Sequence, residues 1–509
     1  MAQGVLSFQY QEEKSVSGMT GLGGLPLYVE LAQVAGLSQS IQRHIGIQGS
    51  QGWTDSQVVL PLMMLNLAGG EAVDDLRILE KDVGFCAMLR KAETKGLTRQ
   101  QRRAQERRWR KERQRTVPSP SAVFRYLGAF HNPLEEERRQ AEESPRAFIP
   151  RPNAALGGLG LVNRDLVAFV QQKRPQRRAT LDQDATLVET HKRDALFSYQ
   201  HFQAYQPLQT YWAEQGLLVH SEFRDGNVPA GYQQLRVLQE ALEVLPPGVE
   251  EVMLRSDTAG YQHDLLQYCA QGRNQRFGVI GFAVGVDVTP EFKGAVAEVP
   301  EEEWHPLERV LEGGTRVPAG QEWAEVCFVP GWVSRSKEGP VYRFLAIREP
   351  LQQAPLPGME GQLPFPTVAL AQGGHYKLSG VVTNRMMAGD ALIWWYRERC
   401  GKSEEVHKVL KEDLAGGKLP SGAFGENAAW WGITVLAFNL HVAMELLVLG
   451  KGWLGKRLKA LRFHLITLPG RVVHHSRGLL VRLTCGHPSF DVLLAARRQI
   501  LALLPGPSG

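Results

Sequence analysis

Residues 390–414, DALIWWYRERCGKSEEVHKVLKEDL, decide how the chain is read. Asp390 suits an N-cap and strong helix formers fill most of the interior, so the stretch predicts one helix. At about 100° per residue, Glu404, His407 and Lys411 fall on one face of that helix. Trp395, Val406, Val409 and Leu410 form a neighbouring apolar face. A carboxylate, an imidazole and a lysine beside a burying seam fit two readings: a solvated charged face, or a site that uses all three.

Two further acids lie upstream in strand-like sequence. Asp184 sits within ATLDQDATLVE and Asp257 ends the apolar run EEVMLRSD. Carboxylates on adjacent strands, joined by one from a helix packed against them, can converge on a pair of divalent cations. Mg²⁺ takes hard oxygen ligands and binds through a few carboxylates plus substrate phosphate. Two such ions about 4 Å apart stabilise the attacking and the leaving oxygen of a phosphodiester. Singly, each Asp reads equally well as a hydrogen-bonded core group, and Asp182, Asp225, Asp264 and Asp287 compete with them.

Composition sets the outer bounds. The 509 residues are 43% hydrophobic and 22% charged, which predicts a soluble globular chain of two to four domains. Cys86, Cys269, Cys327, Cys400 and Cys485 are scattered with no CxxC pair, which argues against a disulfide framework or a zinc ribbon. MAQGVLSFQYQEEK lacks the basic-then-apolar order of a signal peptide. Ala428–Leu449 is the best membrane candidate, but Asn439, His441 and Glu445 inside it predict a buried core helix.

Charge is uneven. Residues 91–116 carry eleven Lys and Arg against three Glu, a net +8 in a chain whose formal total is +5. The remainder is therefore about −3, and the basic arm reads either as a phosphate-binding segment or as a solvated helix or linker.

The order of patterns predicts an α/β chain. Helical segments run through LPLYVELAQVAGL, TDSQVVLPLMMLNLAGG and AVDDLRILEKDVGFCAMLRK, the last with Leu76, Leu79 and Val83 at core spacing. From Arg178 strands dominate: ATLDQDATLVE, then QTYWAEQGLLVHSEFRDG turning near Gly216. A helix over Gly231–Leu245, the strand ending at Asp257 and a helix over Tyr261–Ala270 follow. Residues 276–375 are rich in strands and Pro/Gly turns, and YKLSGVVTNR reads as a last strand before the 390–414 helix. The tail predicts a hairpin over Gly470–Cys485 and a final helix, PSFDVLLAARRQILALL.

Together these blocks resemble a DDE transposase of bacterial insertion sequences, in the ribonuclease-H-like group bearing a YREK signature. The signature stands here as Tyr396, Arg399, Glu404 and Lys411. Its Glu-to-Lys spacing matches, and its Arg-to-Glu spacing is one residue longer, with Gly401 placed to absorb the extra residue in a bulge. Asp184-Ala185-Thr186 matches the group's first acid block, Arg255-Ser256-Asp257 its second, and Gly226-Asn227 the pair after its third strand. The resemblance covers roughly residues 20–500.

It implies an N-terminal helical DNA-binding region with the basic arm over 1–165, and a ribonuclease-H-like core over 166–275 and 376–450. A β-rich insertion at 276–375 interrupts that core, and 451–509 would serve as a dimer or DNA contact. It further implies that Asp184, Asp257 and Glu404 are catalytic and bind two Mg²⁺ or Mn²⁺, while Tyr396, Arg399 and Lys411 hold DNA phosphates. Arg102, Arg103, Arg107 and Arg108 of the arm would bind DNA. Trp394, Trp395, Trp430 and Trp431 either stack on an extruded base or pack in the core. The expected activity is cut-and-paste transposition by a homodimer acting on inverted-repeat ends and target DNA in the bacterial cytoplasm. The alternatives are a silent DNA-binding derivative and a nuclease without strand transfer.

Overall fold

RATLDQDA and EVMLRS are short runs that mix apolar with polar residues, and all but their ends are buried. In a computed structural model they are two neighbouring strands of a mixed sheet. The structure describes residues 18–47, 52–104, 115–141, 147–311, 314–334, 342–351, 363, 365–369, 374–475 and 478–504. The chain forms two compact units: Leu134–Arg151 with Arg174–Lys408, and Met1–Pro133 with Pro152–Lys173 and Val409–Gly509.

The first of these units holds ten strands in one sheet among the described residues. Strand β1 (Arg178–Ala185) pairs antiparallel with β2 (Leu208–Trp212), which pairs antiparallel with β3 (Leu217–Glu222). The β2–β3 turn closes at Gly216, whose φ of 70° is the left-handed conformation glycine tolerates. Helix α1 (Gln234–Val244) carries the chain to β4 (Glu251–Ser256), parallel to β1. Helix α2 (His263–Ala270) leads to β5 (Gly281–Gly285), parallel to β4. Parallel neighbours need such crossovers, whereas β1 to β3 need only a loop or tight turn.

The strand-rich stretch at 276–375 extends this same sheet. Beyond β5 come β6 (His305–Val310), β7 (Arg316–Val326), β8 (Arg343–Pro350), β9 (Thr367–Ala369) and β10 (His375–Thr383). The sheet order is β6-β7-β8-β10-β5-β4-β1-β2-β3, with β9 also on β10. Helix α3 (Gly389–Arg397) buries Leu392 and Ile393 against Ala283, Leu307, Leu345, Ile347 and Val381. Each such side chain contributes about 1.5–3 kcal/mol through burial.

The stretch 390–414 is not one helix. It breaks at Gly401 (φ 78°) and resumes as α4 (Lys402–Lys408). A π-turn over Val409–Asp413 follows, with Leu414 N–H donating to the Val409 carbonyl at 2.8 Å. The extra residue is taken up by a full interruption, since a left-handed residue ends the helical ladder. A helical wheel drawn across 395–411 therefore fails. Glu404 is exposed, His407 is buried and Lys411 is half-buried.

In the second unit the helix Phe424–Met444 packs against Ala154–Lys173 and Asp55–Ala68. With its extension to Leu449 it is long and apolar enough to cross a membrane, yet 72% of its most apolar window is buried in the fold. Its polar residues have protein partners: Asn439 Nδ2 donates to Asn163 Oδ1 at 2.6 Å, and His441 Nδ1 bonds the Tyr28 hydroxyl at 3.0 Å. The third N-terminal helix is split at Asp82, which caps Val83–Glu93 by accepting from Phe85 N–H at 2.7 Å. Val83, expected in the core, is thereby 43% exposed. The C-terminal hairpin (Gly470–His475, Gly478–Leu483) and final helix (Phe490–Ala502) fall where expected. All five cysteines are free.

Gly401 has open space where a Cβ would stand, so substitution there tests backbone strain alone. Gly401→Ala is expected to lower unfolding free energy by about 1–2 kcal/mol, and Gly401→Asn by less, because Asn tolerates the left-handed region. Urea denaturation of the full chain measures both. Equal stability of Gly401→Ala and wild type would remove the strain argument.

Candidate active site

Strand side chains alternate, so Asp182 and Asp184 share one face of β1 and Arg255 and Asp257 one face at the end of β4. The parallel register sets Asp182 opposite Arg255 and Gln183 opposite Ser256; one step further it brings Asp184 level with Asp257. Asp182 and Arg255 consume each other. The Arg255 guanidinium donates to both Asp182 oxygens at 2.6 and 2.9 Å, with both groups almost fully buried. Its remaining donor reaches the Trp395 carbonyl (2.6 Å) and Glu398 (2.9 Å), so the same group also fixes α3.

That leaves Asp184 and Asp257 facing a cleft of about 280 Å³. Asp257 caps the turn Thr258–Gly260, accepting from Ala259 N–H at 3.1 Å. Asp184 lies 3.7 Å from the Arg399 guanidinium and accepts a hydrogen bond from the Ser403 hydroxyl. Burial pushes the Asp184 carboxyl up to about 6; Arg399 opposes the shift and the charge of Asp257 adds to it. Burial works against the charge of Arg399, but Asp184, Tyr396 and Asp257 outweigh it and hold its pKa above the ordinary value. The Arg399 Nε has no hydrogen-bond partner among the described residues. Tyr396 stacks with its ring 5.9 Å from Arg399 and is pushed up to about 12, chiefly by burial.

The geometry thus gathers Asp184, Asp257, Tyr396 and Arg399. Glu404 is exposed one residue beyond Ser403 and is not among the residues that line the cleft. Among the described residues no three His, Cys, Asp or Glu side chains converge closely enough to hold a metal ion. Two adjoining carboxylates, one with a raised pKa, are nonetheless hard oxygen donors short of positive charge, which fits a divalent cation. Lys411 belongs to the other compact unit, where burial lowers its pKa. Arg102 and Arg103 are exposed; Arg107 and Arg108 lie outside the described residues.

The competing acids have other occupations. Asp225 is buried against Arg139 at 3.2 Å, and Asp264 accepts from Leu265 N–H at 2.9 Å. Asp287 is exposed, and the partial loss of water around its carboxyl, together with the charge of Asp257, raises its pKa. The four tryptophans serve packing: Trp430 and Trp431 are buried, Trp394 and Trp395 pack on the core under α3, and Arg255 and Arg385 each lie over the Trp395 ring. Ser403 and the fixing role of Arg255 had no signal in the sequence beyond their nearness to the acids.

Asp184 carries a pH dependence of known sign. Its folded pKa lies above its unfolded one, so ionising it costs stability; the cost is absent below about pH 4 and complete above about pH 6. Asp184→Asn is expected to stabilise the fold by about 1–3 kcal/mol at pH 7.5 and hardly at all at pH 4. Urea midpoints at the two values check this; no gain at pH 7.5 would contradict the buried, underneutralised carboxylate.

One solved structure similar to this chain is described as the cryo-EM structure of a piggyBac transposase synaptic complex with hairpin DNA. The TM-score is 0.44 at 10% sequence identity, covering 97% of this chain and 85% of that one. No curated protein matches the sequence. Residues 13–505 match the family model described as transposase DDE domain group 1. With nearly its whole length inside that model, the chain belongs to the transposase DDE domain family.

Proposed function

We propose that the chain is a DNA transposase that binds the inverted-repeat ends of an insertion sequence and catalyses strand cleavage and strand transfer by a cut-and-paste route. The observation that carries this reading is the side-by-side end of two parallel strands in Asp184 and Asp257, beside the buried Arg399. Asp184, Asp257 and Glu404 would hold two Mg²⁺ or Mn²⁺, which supply Lewis acidity toward a phosphodiester when bound. Arg399 supports a phosphate-binding role through its buried, unfilled Nε–H. Tyr396 fixes Arg399 from one side, and Lys411 would add a point charge. The ribonuclease-H-like reading is supported by three antiparallel strands followed by helix-linked parallel ones, with the acids on adjacent strands. The N-terminal helical region with its basic arm would grip duplex DNA, and the active form would be a homodimer on paired ends in the bacterial cytoplasm.

A second reading, a silent DNA-binding derivative, is favoured by one observation: Glu404 is exposed and does not line the cleft of Asp184 and Asp257. Cleavage separates the two. On DNA carrying the element's end, Asp184→Ala, Asp257→Ala and Glu404→Ala are each expected to abolish Mg²⁺-dependent nicking while end binding persists. No nicking by wild type supports the silent derivative. Full nicking by Glu404→Ala together with loss in Ser403→Ala would move the third role to Ser403.

The arm has its own test. Replacing Arg102, Arg103, Arg107 and Arg108 together by Gln is expected to flatten the dependence of log K on log salt by about 0.9 for each phosphate no longer neutralised. An unchanged slope would make the arm a solvated face.

A further inference from the structure

Charge is concentrated in a second place besides the arm. Between Glu445 and Asp491 the chain carries no acid, while eight Lys and Arg give residues 446–490 a net +8. With +8 here and +8 over 91–116, the formal total of +5 leaves −11 for the rest of the chain. Two segments of one sign in an otherwise acidic chain focus a positive field where they stand.

Part of this charge is engaged within the fold. Arg462 donates to the carbonyls of Asn66 (2.7 Å) and Leu67 (2.8 Å), and Lys459 lies 3.8 Å from Asp413. The C-terminal hairpin, Gly470–His475 with Gly478–Leu483, turns its share outward. It forms a three-stranded sheet with Met19–Thr20, in which Met19 stands opposite Arg471 and Arg471 opposite Arg482. Residues directly opposite one another share a face, so these three make one row, and Val473 with Leu480 makes the next. Both arginines on that face are exposed, as are Met19 (61%) and Leu480 (47%), whereas Val472 on the reverse face is buried.

The row of arginines is what points to a ligand. Side chains directly opposite across an antiparallel pair have their Cβ atoms about 4.5–5.5 Å apart, and like charges so placed repel. A phosphate between them offers oxygens to both guanidinium forks and turns the repulsion into two charge-assisted contacts. We propose that this sheet face is a second contact for duplex DNA, in which Arg471 and Arg482 straddle one backbone phosphate. The proposal rests on the reading of the chain as a DNA-binding transposase, and it adds to the arm a contact on the C-terminal hairpin.

The test is equilibrium binding of the full chain to a random-sequence duplex in EDTA over a range of salt. Arg471→Gln combined with Arg482→Gln is expected to flatten the dependence of log K on log salt by about 0.9, the contribution of one phosphate. Each single exchange should leave most of the slope, because the remaining guanidinium still neutralises the shared phosphate. Arg471→Lys combined with Arg482→Lys should keep it. Leu480→Glu, which sets a carboxylate on the same exposed face, should weaken binding at low salt with the urea midpoint unchanged. An unchanged slope in the double Gln variant, or undiminished binding by Leu480→Glu, overturns the proposal. So does a loss of about 0.9 from each single exchange that sums to about 1.8, since the two residues would then serve separate phosphates. Phosphatidylserine vesicles are the control: binding lost there with the DNA slope intact would make this a membrane face and overturn the proposal as well. Mg²⁺-dependent nicking by wild type reports on the cleavage reading separately, since its absence with the slope change present faults that reading alone.

Discussion

The guanidinium of Arg255 holds β1, β4 and α3 together at one point. It is a buried ion pair, so its net contribution to stability is small or even unfavourable against apolar residues of the same size. Removing either partner is another matter, since it strands a charge in the interior at a cost of about 3–5 kcal/mol. What the pair supplies is alignment. With Asp182 engaged, the next residue on the same face of β1 is Asp184, and the next on β4 is Asp257. Both then emerge at the strand ends where the cleft opens.

The acids and the surrounding helices divide the electrostatic work. Asp182 takes a two-pronged contact from Arg255, while Asp184 has Arg399 at 3.7 Å, the Ser403 hydroxyl and the Ala185 backbone N–H. Asp182 is engaged by an arginine directly across the register, whereas Asp184 stands at the cleft with a more distant counter-charge. Both belong to the same strand and differ by two residues.

The strands were legible because their chemistry is local. The strand-like stretches ATLDQDATLVE, QTYWAEQGLLVHSEFRDG and EEVMLRSD contain β1 to β4, though the first two run four residues past the strand ends, and the β2–β3 turn falls at Gly216 as read. Gly401 stood out as an irregularity, but strong helix formers on both sides concealed that the helix stops there. Glu404 and His407 were read on one face; both follow that break in the short helix α4, where Glu404 is exposed and His407 is buried. Val83 failed for the same reason, a cap at Asp82 inside a seemingly continuous pattern. Ser403 and Arg255 were out of reach because their meaning depends on which residue faces which across a register.

The Arg255–Asp182 fork also bears on how freely the chain can change length. Asp184 and Asp257 are joined through two hairpins, a helix and several loops, yet their alignment is fixed by a bond two residues before each. Lengthening a loop on the way costs only about 0.6 kcal/mol for each doubling, far less than breaking the fork. Surface insertions between the two acids are therefore tolerable without moving them. A single residue inserted between Asp182 and Asp184, or between Arg255 and Asp257, would turn one acid to the opposite face of the sheet. Spacing is thus informative over two residues here and nearly silent over seventy.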